Sequence, residues 1–151
     1  MSSPMTEQAR EAFLAEPHIA TICVARPDRR PPLATPSMYA YEPGGDVTFF
    51  TGTQGRQARR SPLIERSRAL TISVQRGEMP YRYVTVECDL VDVDRPPTPD
   101  KMLAVLRRYL PWDAAQGMVA AELGSSSNAV TLYTVRPTRW FSADFGDDDA
   151  D

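Results

Sequence analysis

The alternation of apolar and polar side chains predicts a chain built mainly from short β-strands. Apolar residues alternate with Thr and Ser over 33–41 (LATPSMYAY) and 47–52 (VTFFTG), as expected for strands with one face toward a core. Further strand-like runs cover 18–26, 68–76 and 81–93, and AVTLYTVRPTRWF closes the series. Because turn-rich segments separate the first three runs, we expect them to form an antiparallel meander.

Two features refine this pattern. Pro36 stands inside a strand and cannot donate to a β-ladder, so it predicts an edge strand or a bulge. Helical spacing replaces the alternation in three places. One helix is predicted near the N-terminus with Thr6 as its N-cap. A second begins at Thr98-Pro99-Asp100, which supplies a capping hydroxyl, a proline and an acid in the first turn. A third covers DAAQGMVAAEL, 113–123.

Six strands with helices inserted late predict a mainly β protein, a six-stranded antiparallel barrel that is closed or half-closed. A two-sheet sandwich is the main alternative. A barrel this small is filled by its own side chains, so a ligand would bind outside it, at a subunit interface. The 151 residues contain no repeat and no linker, which predicts one domain over 1–151 with flexible tails at about 1–8 and 146–151.

Composition excludes several classes of protein. A net charge of −3 does not favour binding to nucleic acid or to a membrane surface. Cys23 and Cys88 lie in apolar strand-like runs, which suits reduced thiols better than disulfides. With His18 as the sole histidine and no Cys-x-x-Cys pair, no metal site is predicted. The absence of a signal-peptide core and of a long apolar run predicts a cytoplasmic protein.

The densest positive charge directly follows a strand, in FFTGTQGRQARR, 49–60. Hydroxyls at Thr51 and Thr53 and glycines at 52 and 55 form a segment whose backbone N–H groups can turn toward an anion, which suits a phosphate. Arginine contacts would add strength. The segment is not a P-loop, because the Gly-Lys-Ser/Thr ending is missing. The alternative is that the arginines lie on a solvated helix face, and the residues alone leave both interpretations open.

The order of several motifs resembles that of the pyridoxamine 5′-phosphate oxidase-like split barrels. These motifs are FLAEP, ATP before an aromatic strand, TG…R after a strand, and PYRYVTVE, and the match runs over roughly residues 10–146. The chain is most similar to the actinobacterial branch of flavin/deazaflavin oxidoreductases, many of which use coenzyme F-420. The resemblance implies a homodimer with two sites at the subunit interface, each holding a flavin-like cofactor, reduced F-420 or FMN.

The resemblance also implies roles for particular residues. The segment that would line the cofactor ring comprises Thr35, Pro36, Ser37, Met38 and Tyr39. The phosphate would lie against Thr51, Gly52, Arg56, Gln57 and Arg60. Gln75 would lie near the ring, and Tyr83 and Trp140 would come from the partner subunit. Tyr39 and Tyr81 are the candidate proton donors.

Two positions depart from the family pattern. Gln57 stands where the family commonly has lysine, so a phosphate-pairing charge is missing unless Arg56, Arg59 or Arg60 replaces it. Cys88 replaces a glycine that is usual after VTVE, so the local strand is expected to differ.

The resemblance implies a deazaflavin-dependent reductase that transfers hydride to a conjugated, electron-poor double bond of a small molecule. Similar proteins include reductases that finish aromatic polyketides of the tetracycline type. The cofactor would carry the chemistry, so the lack of a catalytic triad is not an objection. The alternatives are an FMN-dependent oxidase or reductase of the pyridoxamine-phosphate-oxidase type, and a non-catalytic flavin- or haem-binding protein.

Overall fold

The computed structural model describes residues 2–52, 59–124 and 130–146, and its main feature is one antiparallel sheet. The strands are β1 (Ala20–Val24), β2 (Leu33–Ser37), β3 (Ala40–Tyr41), β4 (Val47–Thr51), β5 (Ala69–Arg76), β6 (Arg82–Asp94) and β7 (Thr131–Asp144). The helices are α1 (Glu7–Ala15), α2 (Arg60–Ser67), α3 (Pro99–Leu106) and α4 (Trp112–Leu123). A mainly β protein with attached helices is therefore confirmed.

The described part of the chain contains seven strands, not the six predicted, because the segment 33–41 is divided. Met38 and Tyr39 separate β2 from β3, and the sheet order β2-β1-β5-β6-β7-β4-β3 puts these two strands at opposite edges. The expected three-strand meander is therefore wrong. Because only two residues join the edge strands, the sheet must curl until its edges approach each other, which gives a half-closed barrel and not a sandwich.

Local signals in the sequence correspond to observed structure. Pro36 lies in the edge strand β2, opposite Thr21 of β1. The hydroxyl of Thr6 accepts a hydrogen bond from the backbone of Ala9 at 3.1 Å, which caps α1. Thr98 caps α3 in the same way through the backbone of Lys101, at 3.3 Å. The predicted edge position and both caps are confirmed.

The apolar residues form two cores. The first fills the barrel, and its fully buried members include Ile22, Phe49, Ile72 and Val84. The second packs α3 and α4 against the outer side of β4, with Met102, Leu106, Ala115 and Val130 buried and Met38 and Phe50 packed on them. The helices thus cover one part of the barrel wall and bring α4 next to the end of β4.

The N-terminal residues pair with the last strand. Ser3 and Asp144 exchange two backbone hydrogen bonds of 3.1 and 2.8 Å, and Arg82 forms an ion pair with the Asp144 carboxylate at 3.0 Å. Residues 147–151, which contain most of the predicted acidic tail, lie outside the described residues. None of the described helices is long and apolar enough to cross a membrane.

Candidate functional site

The guanidinium of Arg60 lies between β2 and β4, two strands that do not pair with each other. We call this gap in the barrel wall the seam. On β4, its Nε donates to the hydroxyl of Thr51 at 2.8 Å and its Nη2 donates to the carbonyl of Phe50 at 3.1 Å. On β2, Nη1 and Nη2 donate to the hydroxyls of Thr35 and Ser37, both at 3.2 Å. Among the residues that the structure describes, these four contacts use four of the five guanidinium N–H groups.

Arg60 brings a buried positive charge to this seam. Its side chain is 9% exposed, whereas the neighbouring Arg59 is exposed. Burial lowers the pKa of Arg60 to about 10, so the guanidinium remains charged at neutral pH. The seam is therefore electrostatically suited to an anion.

The predicted phosphate-binding residues partly come together here. Thr51 ends β4 beside Arg60 and Gly52 follows it, while Thr35 and Ser37 approach from β2. The hydroxyls of Thr35 and Thr51 accept from Arg60, so each keeps its own proton to donate. Arg56 and Gln57, together with Thr53 and Gly55, lie outside the described residues, so their assignment to the phosphate stays a prediction.

A carboxylate that sequence reasoning missed lies against the same strand end. Glu122 on α4 is only 4% exposed. A Cβ on Gly52 would lie 2.5 Å from its Oε1 and 3.0 Å from its Oε2. Position 52 therefore requires glycine because of this close approach. The one signal in the sequence is an acid among small and apolar residues at the end of the α4 pattern.

The segment predicted to line the cofactor ring presents its residues to different surroundings. Thr35 and Ser37 contact Arg60, Pro36 is exposed on the outer side of the edge strand, and Met38 packs on the helical core. The segment thus offers Pro36 and the Arg60-bound hydroxyls to a ligand. The lining of a cofactor ring by all five residues stays a prediction.

The side chain of Tyr39 contacts the end of the N-terminal helix α1. Its hydroxyl donates to the carbonyl of Leu14 at 2.9 Å, and Arg108 lies over its ring at 4.5 Å. The side chain is 1% exposed, and burial raises the pKa of Tyr39 to about 12. Because its proton is held by a backbone carbonyl, these contacts give no support to Tyr39 as a proton donor.

Three other predicted residues form a second group at the ends of β5 and β6. Gln75 lies opposite Tyr83 in the ladder, and the hydroxyl of Tyr81 donates to Oε1 of Gln75 at 3.3 Å. The ring of Tyr81 lies 6.0 Å from that of Tyr83 and 5.4 Å from that of Phe145. Phe145 was not predicted as a site residue, and it is 43% exposed. The group is thus an accessible aromatic cluster.

Trp140 lies in a third place. It packs edge-on to Tyr41 at 6.0 Å between ring centroids, and the guanidinium of Arg10 covers it at 3.9 Å. Within one chain, Trp140 therefore contacts α1 and β3, apart from the Arg60 seam. Its contribution to a site across a subunit interface stays a prediction.

Comparisons with known proteins agree with this architecture. No family model and no curated protein matches the chain. An F-420 reductase matches with a TM-score of 0.65 and 25% identity, over 87% of this chain and 94% of that one. A conserved hypothetical protein from Mycobacterium tuberculosis matches with a TM-score of 0.71 and 19% identity, over 94% and 86%. A candidate pyridoxamine 5′-phosphate oxidase from Listeria innocua matches with a TM-score of 0.62 and 9% identity, over 90% and 96%.

These likenesses, together with the seven-stranded half-closed barrel, define the class of protein. The chain has the fold of the pyridoxamine 5′-phosphate oxidase-like split barrels, and the resemblance is confirmed at the level of the superfamily fold. Within the described residues, no cluster of His, Cys, Asp and Glu could hold a metal ion.

Proposed function

We propose that this protein is a reductase that uses reduced coenzyme F-420 to transfer hydride to a conjugated, electron-poor double bond of a small molecule. The observation that carries the proposal is the Arg60 seam, where a buried charged guanidinium meets the hydroxyls of Thr35, Ser37 and Thr51. The likeness to an F-420 reductase at 25% identity supports this cofactor in preference to other flavin-like molecules.

The described donors fit a phosphorylated flavin-like cofactor. The Arg60 N–H that has no acceptor among the described residues, together with the hydroxyl protons of Thr35 and Thr51, can hold an anionic group by charge-assisted hydrogen bonds. Arg56, Gln57 and Gly52 are assigned to the same group by resemblance. When bound, the coenzyme supplies the hydride. The chain's own residues bind it, orient it and hold the substrate beside it.

We further propose a homodimer that completes the site. A row of residues crosses the outer face of five strands as successive ladder partners: Pro36, Thr21, Ser73, Thr85 and Phe141. Four of them are small or hydroxyl-bearing, which gives a flat surface on which a second sheet can pack, and Phe141 is 41% exposed. Tyr83 lies on the same face, two residues from Thr85, and would approach the partner's site.

The aromatic cluster suggests the substrate class. Tyr81, Tyr83 and Phe145 offer ring faces on which a flat conjugated molecule can pack, such as a tetracycline-type aromatic polyketide intermediate. The hydroxyl of Tyr81 is more accessible than that of Tyr39, so Tyr81 or a water is the better proton donor. We place this chemistry in the cytoplasm, which agrees with the two free cysteines, Cys23 and Cys88.

The second candidate is an FMN-dependent oxidase or reductase, because the Arg60 seam would hold the phosphate of FMN by the same contacts. A non-catalytic flavin-binding protein would use them too. Haem binding has less support. His18, the one histidine, stacks on Phe13 at 4.4 Å, and its Nε2 lies 3.0 Å from the Glu16 carboxylate.

The test is titration of the purified protein with F-420 and with FMN, followed by fluorescence quenching. Micromolar binding of F-420 with weak binding of FMN supports the reductase. The reverse preference moves the assignment to FMN chemistry, and binding of neither contradicts both. A turnover assay with reduced cofactor and electron-poor acceptors separates an enzyme from a binding protein. A protein that binds the cofactor but does not complete multiple turnovers is a binding protein.

A further inference from the structure

A continuous series of hydrogen bonds runs from Arg60 in the seam to Tyr109, which follows the end of α3. Nη2 of Arg60 donates to the hydroxyl of Ser37 at 3.2 Å, and this hydroxyl donates to the carbonyl of Met38 at 2.9 Å. The backbone N–H of Tyr39 donates to the hydroxyl of Tyr109 at 3.1 Å. The series therefore connects the seam with a residue beyond the strands that form it.

The peptide unit between Met38 and Tyr39 is the middle link of this series. Its carbonyl accepts from Ser37, and its N–H donates to Tyr109. A peptide unit is a rigid plane, so its carbonyl cannot turn without its N–H. The hydroxyl of Tyr109 thus fixes the direction in which the Met38 carbonyl points.

The hydroxyl of Tyr109 is itself oriented by a backbone acceptor. It donates to the carbonyl of His18 at 2.7 Å, whereas the Tyr39 carbonyl lies farther away, at 3.3 Å, and accepts from Arg108. All donors of the series consequently point one way, from Arg60 toward His18. Hydrogen bonds that are aligned in this manner polarise and strengthen one another.

Ser37 differs from the other two hydroxyls that Arg60 contacts. Its proton is used on the Met38 carbonyl, so it offers Arg60 only a lone pair. Because β2 and β4 do not pair, no ladder aligns it with β4. The direction of its hydroxyl follows the Met38 carbonyl, and thus the peptide unit that Tyr109 holds.

We propose that Tyr109 is a positioning residue for the cofactor site. This inference rests on the proposed function, since it concerns the guanidinium to which that function assigns the phosphate. Tyr109 acts through the peptide unit and Ser37 to keep the Arg60 guanidinium oriented between β2 and β4. Loss of the Tyr109 hydroxyl lets the peptide unit rotate, and Arg60 then binds an anion less tightly although its charge is unchanged.

The experiment compares the wild-type protein with Tyr109→Phe, which keeps the ring and removes the hydroxyl. Dissociation constants for F-420 and for FMN are measured by fluorescence quenching at constant salt. We expect the constants to rise about three- to tenfold, as for the loss of one hydrogen bond of ordinary strength. Thermal melts check that the variant is folded.

Tyr41→Phe is the matched control. The hydroxyl of Tyr41 donates to Oε1 of Glu11 at 2.8 Å and accepts from the backbone of Gly44 at 3.3 Å. The control therefore makes the same substitution and removes the same kinds of hydrogen bond, but outside the series. Its dissociation constants should equal those of the wild type.

A double-mutant cycle with Ser37→Ala separates positioning from a general loss of stability. Ser37→Ala interrupts the series between Arg60 and the peptide unit. If Tyr109 acts through Ser37, Tyr109→Phe should have no further effect on the dissociation constants in that background. Equal weakening in both backgrounds, or no weakening in either, overturns the inference.

Failure of the proposed function is recognised separately. If the wild-type protein binds F-420 or FMN and Tyr109→Phe binds it equally well, only the positioning role fails. If the wild-type protein binds neither molecule, the proposed function fails and the positioning role fails with it. The same cycle measured by urea denaturation then still reports on the series of hydrogen bonds, because linked residues give non-additive free energies of unfolding.

Discussion

Nη2 of Arg60 donates to the hydroxyl of Ser37 across 3.2 Å, although Arg60 opens α2 and Ser37 ends the edge strand β2. The same nitrogen reaches the Phe50 carbonyl on β4. One side chain therefore closes the barrel seam and supplies the charge for the proposed phosphate site. Substitutions at Arg60 are expected to change stability and ligand binding together.

Arg60→Met should lower the free energy of unfolding by about 3 kcal/mol, because it removes buried hydrogen bonds to a charged group and leaves their acceptors unpaired. Urea denaturation measures this. Arg59→Met is the matched control, since Arg59 is exposed and its loss should change stability by less than about 0.5 kcal/mol. Equal effects of the two substitutions would contradict the seam contact.

Gly52→Ala should destabilise the protein by about 1–3 kcal/mol, because its Cβ would lie 2.5 Å from Oε1 of Glu122. In a Glu122→Ala background the same change should be nearly neutral. A double-mutant cycle from denaturation curves gives the coupling, expected to be at least about 1 kcal/mol. If Gly52→Ala destabilises the protein equally in both backgrounds, the Glu122 carboxylate is not the reason why position 52 requires glycine.

The alkaline stability of the protein should depend on Tyr39. Burial raises the pKa of its phenol from 10.0 to about 12, so between these pH values the folded state keeps a proton that the unfolded state releases. Stability contributed by the neutral phenol is therefore complete below pH 10 and is lost as pH rises toward 12.

Tyr39→Phe should reduce the slope of unfolding free energy against pH in this window, as measured by urea denaturation at several pH values. At pH 7 it should cost about 1 kcal/mol for the lost hydrogen bond to Leu14. It should leave reductase turnover unchanged. A large loss of turnover with intact cofactor binding would restore Tyr39 as a proton donor.

Thr85→Arg should convert the proposed homodimer into a monomer. Thr85 lies in the middle of the outer-face row, hydrogen bonded to Ser73 at 3.2 Å, so an arginine there would place charge and bulk between the packed sheets. Analytical ultracentrifugation distinguishes the two states. Arg59→Met serves again as the control, and a wild-type monomer would contradict the dimer directly.

Arg56→Ala should weaken binding of F-420 or FMN by about 1.5–3 kcal/mol if Arg56 replaces the charge that Gln57 lacks. Titration of the variant measures this. A double-mutant cycle with Arg59→Ala tests whether the two arginines act on one group. Unchanged affinity would favour the alternative interpretation, in which the arginines of this segment lie on a solvated surface.

Local sequence patterns predicted most of the strands and the caps of α1 and α3. They did not predict the division of 33–41, because the alternation continues through Met38 and Tyr39 without a break. The division depends on contacts with residues that are far away along the chain. The hydroxyl of Tyr109 accepts from the backbone N–H of Tyr39 at 3.1 Å, and Arg108 donates to the Tyr39 carbonyl.

The candidate site was predictable to a similar extent. The sequence pointed to Thr51, Gly52 and the arginines, but it could not distinguish Arg59 from Arg60, since only the fold decides which one reaches the seam. The contact of Glu122 with Gly52 could not be predicted, because the two residues are 70 positions apart along the chain and the sequence of α4 does not show which strand end the helix packs against.

The strand order has a consequence for synthesis on the ribosome. β4 pairs along one side with β7, and Thr51 lies opposite Thr131, so its main partner is translated 80 residues later. β7 also pairs with β6, and it joins the two halves of the sheet. A nascent chain that has emerged only as far as α4 already contains Thr35, Thr51 and Arg60, but β4 still lacks this partner. The strand end that carries the proposed cofactor site thus gains its sheet partner only when β7 takes its place.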